Sequence, residues 1–189
     1  MPSTLLHLTL TAFALLAVAP AGAAERFPTI PPADYTPAQK EAAADFLAAR
    51  KTPVFGPFEP LMYSPEVMTV ARSMGDYLRY KSGIGTTLSE LAILITAREW
   101  SQDFEWSFHK PIALKAGVPA AVIDAIQQGR RPEAMTDDEA IVYDVTTELH
   151  RNHRVSDATF ARAERRFGKG RVIAFGYRNN GLSWDMPMS

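Results

Sequence analysis

Helix-opening signals recur along the whole chain and no strand pattern competes with them. Thr36 offers an N-cap with Pro37 at the first helical position, and Ala38, Ala42, Phe46 and Ala49 follow at helical spacing, so a helix is expected over about 36–50. The segment Lys51 to Met62, with Pro53, Gly56, Pro57 and Pro60, breaks it. Ser64-Pro65-Glu66 repeats the signal, and Val67, Ala71, Met74 and Leu78 define one apolar face. Gly83 and Gly85 close that helix. Thr87-Leu88-Ser89-Glu90 then has capping-box spacing ahead of Leu91, Leu94, Ile95 and Arg98. Further starts stand at Pro119, at Thr136 with Glu139 three residues on, and at Ser156 before Asp157; Gly117, Gly129 and Gly168 sit where helices should end. No segment alternates with period two between hairpin turns. The expectation is a single all-α domain of about seven helices joined by short loops.

Composition removes several chemistries. The 189 residues include no cysteine, which excludes a thiol nucleophile, a disulfide, Cys-ligated zinc and an iron–sulfur centre. A net charge of −1, with no local run of Lys or Arg, provides no field to gather a phosphate backbone, so nucleic acid is not an expected partner. Residues 1–24 carry no Lys, Arg, Asp or Glu, and Leu5 to Val18 form an apolar run too short to span a bilayer. With Ala21-Gly22-Ala23 as cleavage triplet, residues 1–23 read as a signal peptide ahead of one domain over 24–189, and the protein as periplasmic or secreted; the alternative is an uncleaved N-terminal anchor.

The densest polar-aromatic segment runs from Arg98 to His109. Glu105 and His109 are four residues apart and share one helical face, where a carboxylate raises an imidazole pKa and burial lowers it. Such a pair suits proton transfer near neutral pH, although the same spacing also serves ordinary surface pairs. Trp100, Phe104, Trp106 and Phe108 surround it with aromatic surface. Pro111 removes a backbone N–H and frees the Ser107 carbonyl within a turn of His109.

Several separated stretches agree in order and spacing: Leu61-Met62-Tyr63-Ser64-Pro65-Glu66, Leu88-Ser89-Glu90-Leu91-Ala92-Ile93-Leu94, Asp103-Phe104-Glu105-Trp106, His109-Lys110-Pro111-Ile112-Ala113 and Val155-Ser156-Asp157-Ala158-Thr159-Phe160. Over roughly residues 50–180 the chain resembles the carboxymuconolactone decarboxylase family, which shares its fold with the alkylhydroperoxidase AhpD-like proteins. The resemblance implies an AhpD-like orthogonal helical bundle assembled as a homo-oligomer, a trimer or hexamer. In the peroxidase branch a Glu, a Cys-x-x-Cys pair and a His form a proton relay. Glu90 and His109 match its ends, but Gln102 and Glu105 occupy the thiol positions, so thiol peroxidase chemistry is impossible here. The decarboxylase branch, with its Glu-Trp-x-x-His pattern, matches better. It implies a cofactor-free lyase acting on a small lactone or carboxylic acid, with His109 as general acid or electrostatic partner and Glu105 orienting it. Glu90 belongs either to the relay or to the Thr87 capping box. Trp106 is expected as a pocket wall and Gln102 as a substrate-side residue. Arg98 is expected to bind the substrate carboxylate or to pair with Glu99 or another neighbouring acid.

Two rival readings stand beside the lyase. Glu148, His150 and His153 include a His-x-x-His pair able to bind a metal, but the macrodipole explains cationic residues at a helix C-terminus, no third ligand is evident by spacing, and no metal is assigned. The other reading is a non-catalytic exported binding or assembly protein on the same scaffold. The polar, turn-prone Arg178 to Met186 departs from the apolar helix that the family resemblance implies there.

Overall fold

A computed structural model describes residues 26–180; the expected signal peptide and the end of the chain from Gly181 lie outside the described residues. Eight α-helices fill that span: α1 (Pro37–Arg50), α2 (Pro65–Tyr80), α3 (Thr86–Glu99), α4 (Asp103–Lys115), α5 (Ala120–Gln127), α6 (Asp137–Asn152), α7 (Asp157–Phe167) and α8 (Lys169–Asn180). Short 3-10 turns at Pro32–Asp34, Gly56–Phe58 and Pro60–Tyr63 flank α1, and no strand occurs among the described residues. None of these helices is long and apolar enough to cross a membrane. The helix beyond the expected seven is α8, which begins directly after Gly168 without a capping signal in the sequence and carries Arg178-Asn179-Asn180 in helical backbone.

Local chemistry sets most of the boundaries. Thr36 and Thr136 both form complete capping boxes, with Gln39 and Glu139 reaching back to the cap N–H while the threonine hydroxyl accepts from the backbone three residues on. Ser156 accepts from the Thr159 N–H in the same way. The Thr87 box does not form. Helix α3 opens at Gly85, whose φ of 86° suits glycine, and Thr87 donates its hydroxyl to the Ala116 carbonyl at 2.5 Å.

The apolar residues divide into two clusters. Helix α3 is the axis of the larger one and packs against α4, α5, α6 and α8. Its Leu91, Leu94 and Ile95 are fully or almost fully buried among Val122, Ile123, Val142 and Leu149, each such side chain contributing about 1.5–3 kcal/mol of burial. Helix α1, the turns after it and the start of α2 form the smaller cluster around Phe46, Met62 and Met68. A cavity of about 270 Å³ opens at the seam between them, walled by α1, the Gly56–Phe58 turn, α2 and α4. Ala71, Met74 and Leu78 of the α2 apolar face line this cavity, whereas Val67 on the same expected face is 51% exposed.

Candidate functional site

Four side chains from three helices form a continuous polar chain beside the cavity. Glu90, in the second turn of α3, has no exposed surface. Its Oε1 lies 2.9 Å from an Arg79 terminal nitrogen on α2, and its Oε2 lies 2.6 Å from His109 Nδ1 on α4. On the other side of the ring, Nε2 is 3.3 Å from Glu105 Oε2. His109 is 7% exposed and Glu105 reaches the rim, with about a third of its side chain open to solvent. A proton taken up at Glu105 therefore has a short path to an imidazole that is itself fixed from behind.

The geometry places Glu90 against Arg79 and His109 and not at a helix cap. Because α3 starts at Gly85, the carboxylate sits too far along the helix to reach a cap N–H, and it is turned inward between two cationic partners. Removing such a group from water is tolerated only when charges of opposite sign and hydrogen bonds compensate it, as Arg79 and His109 do here. The same surroundings tune His109. Burial works against ring charge more than any other single influence, but the hydrogen bonds to Glu105 and Glu90 and the charge of Glu90 together outweigh burial and the opposing Arg79 charge. The pKa of His109 is raised above its ordinary 6.5, which favours an imidazolium donating from both nitrogens.

Rings build the rest of the wall. Phe104 and Phe108 stack with centroids 5.9 Å apart, Phe55 lies 5.8 Å from Phe108, and Phe108 meets His109 edge-on at 5.2 Å. Gly56 lets the turn approach this wall: its φ is +53°, and a Cβ there would stand 2.6 Å from Phe104 Cζ. Pro111 lies two residues beyond His109 within α4, which continues through it to Lys115.

Other expected site residues lie elsewhere. Arg98 is exposed and donates from Nε to the Gln127 carbonyl at 3.0 Å, serving the C-terminal end of α5, while Glu99 pairs instead with Arg151. Trp106 is turned away from the cavity; it packs against the larger core cluster with the Lys110 ammonium 5.9 Å from its ring. Gln102 is exposed, and its side-chain amide donates to the Trp100 carbonyl at 3.3 Å. Arg98 belongs to the last turn of α3 and Gln102 precedes α4, so neither shares a helix with the Glu105–His109 pair, while Trp106, adjacent to Glu105, falls on a different face of α4. Sequence reading missed Arg50, Arg79, Phe55 and Phe58 on the cavity wall. The one available signal was an arginine, Arg79, beside Leu78 at the edge of the α2 apolar stripe.

The second acid–histidine cluster does not converge. Glu148 accepts from the Ser156 N–H at 2.6 Å and from the Thr159 hydroxyl at 2.6 Å, which ties α6 to the start of α7. His150 Nδ1 accepts from the Trp100 indole at 3.0 Å and its Nε2 contacts the Thr96 hydroxyl at 3.1 Å. His153 takes the left-handed position that ends α6, at φ 55°. No group of three or more His, Asp or Glu able to hold a metal ion occurs among the described residues. Comparison with known proteins returns no match: no family model, no curated protein and no solved structure is similar to the chain.

Proposed function

We propose that the protein is an acid–base lyase of the carboxymuconolactone decarboxylase kind, needing no cofactor, that removes carbon dioxide from a small lactone or keto acid. The observation that carries this reading is the Arg79–Glu90–His109–Glu105 chain, buried at one end and open to an aromatic cavity at the other. In the reaction the bond between the carboxylate carbon and the ring breaks, its electron pair spreads into the conjugated system, and carbon dioxide leaves. A proton held between His109 and Glu105 then completes the product at carbon. Glu90 keeps the imidazole charged and oriented, and Arg79 holds Glu90. Glu105, at the rim, restores the proton from solvent. Phe55, Phe104 and Phe108 exclude water from the reacting atoms, which strengthens each of these electrostatic contacts. Export through residues 1–23 and assembly as a homo-oligomer belong to the same proposal; Val70, Tyr77 and Tyr80, exposed along α2, offer apolar surface for a subunit contact.

The test is a screen of the purified protein against lactone acids and small keto acids, following carbon dioxide release. At least one acid is expected to be turned over, and His109→Ala to lower that rate by roughly 10²–10⁴-fold with the helical far-UV signal retained. Binding of these acids with no carbon dioxide released from any of them would leave a ligand-binding protein in place of the lyase.

A further inference from the structure

The cavity carries a cation that the proton relay does not use. Arg50, the last residue of α1, lines it with only 14% of its side chain exposed. Its Nε is pinned 2.6 Å from Asp76 Oδ1, and the other Asp76 oxygen binds Arg72, which in turn reaches Asp45, each at 2.8 Å. The Phe58 ring centroid lies 5.4 Å from the guanidinium carbon. The ion pair and the ring hold the guanidinium at the cavity wall, although Nε and Oδ1 are not aligned as a hydrogen bond. No hydrogen bond within the described residues engages its two terminal nitrogens.

Charge at the wall points the same way. The charged groups lining the cavity are Arg50, Arg79, His109 and Glu105. Arg79 is committed to Glu90, and His109 is flanked by two carboxylates, so neither is available to a ligand anion. Arg50 alone offers a preset pair of donors, the geometry that a carboxylate accepts bidentately. Beside it, the Phe104 and Phe108 rings, whose planes lie within 9° of parallel, give the cavity an aromatic wall suited to a flat ligand.

We infer that Arg50 anchors a carboxylate of the ligand, so that the cavity selects small acids with a flat, unsaturated body. The inference rests on the same cavity as the proposed lyase and specifies its substrate class. The acid group Arg50 holds is one the reaction keeps, because clamping the departing carboxylate would stabilise the ground state more than the transition state.

Titration of the full-length protein with benzoate and with its neutral isostere benzamide tests this by calorimetry. Benzoate is expected to bind at least about tenfold more tightly, the scale of one charged hydrogen-bonded pair. Arg50→Gln should remove that preference, while Arg98→Gln, away from the cavity, keeps it. In the unmutated protein, benzoate but not benzamide should protect Arg50 from phenylglyoxal, read by peptide mass spectrometry, which decides the matter even if Arg50→Gln folds poorly. Equal affinity for the two probes, no binding of benzoate, or an unprotected Arg50 would overturn the anchor. An anchor that passes while no acid is turned over would remove the lyase and keep the binding site. Turnover whose KM is unchanged in Arg50→Gln would do the reverse.

Discussion

His109 and His150 both lie in helices, both are partly or wholly withdrawn from water, and both have acidic residues within a few positions in sequence, yet their surroundings drive them apart. At His109 each ring nitrogen meets a carboxylate, and the pKa rises although burial opposes it. At His150 the ring nitrogens meet an indole N–H and a hydroxyl, burial dominates, His153 adds repulsion, and the pKa falls despite the attraction of Glu99. Its nearby acid, Glu148, is spent on the α6–α7 junction. Burial alone makes a neutral structural histidine. Burial between two carboxylates keeps the ring inclined to its charged form.

The most severe way to break the contrast is Glu90→Ala. It strips the compensating charge from Arg79 and one partner from His109, and a loss of about 3–5 kcal/mol in denaturant unfolding is expected. NMR titration should then place His109 lower than in the parent, closer to the behaviour of His150. An unchanged midpoint and titration would mean that Glu90 does not hold the relay.

The pH dependence separates the two rings by sign. With its folded pKa raised, His109 contributes stability that is complete below the unfolded value of about 6.5 and is lost as pH rises through the folded pKa. His150, with its folded pKa depressed, contributes stability that is complete above about 6.5 and is lost as pH falls through the folded value. Each unit of separation is worth about 1.4 kcal/mol. Unfolding free energies of His109→Gln and His150→Gln, measured across that range against the parent, should diverge in opposite directions; parallel curves would refute the distinction.

Smaller effects sharpen it. Glu148→Ala should cost about 1 kcal/mol, as expected for losing a helix-end acceptor, and leave any turnover intact. Trp100→Phe removes the donor to His150 Nδ1, a bond that favours the neutral ring. About 0.5–1 kcal/mol of stability should be lost, and the His150 titration should move up toward its ordinary value in NMR. A titration unmoved by that substitution would separate the indole from the tuning of this ring.

The helices themselves were readable because their signals are local. Thr36, Thr136 and Ser156 each act within one turn, and the expected capping bonds all form. Thr87-x-x-Glu90 carries the same pattern and fails, since Gly85 opens the helix earlier and the buried partners Arg79 and His109 claim the carboxylate. A capping box is therefore a statement about spacing that tertiary charge can overrule. The Glu105–His109 pair was legible for the reason that caps are: one helical turn joins the two residues. Arg98, Gln102 and Trp106 were implied by the family resemblance; the break between α3 and α4 separates the first two from the pair, and helical rotation turns Trp106 to another face of α4.

The amino-acid order thus determined an all-helical chain, most of its helix ends, the absence of thiol chemistry and one acid–imidazole pair, all properties of composition or of residues within about a turn of one another. Only the packed structure decided that Glu90 faces His109, that Arg79 stands behind it, and that Arg50, Phe55 and Phe58 close the cavity from a segment some fifty residues away. Those contacts follow from how α2, α3 and α4 meet across the seam between two apolar clusters, and no period or motif along the chain encodes that meeting directly.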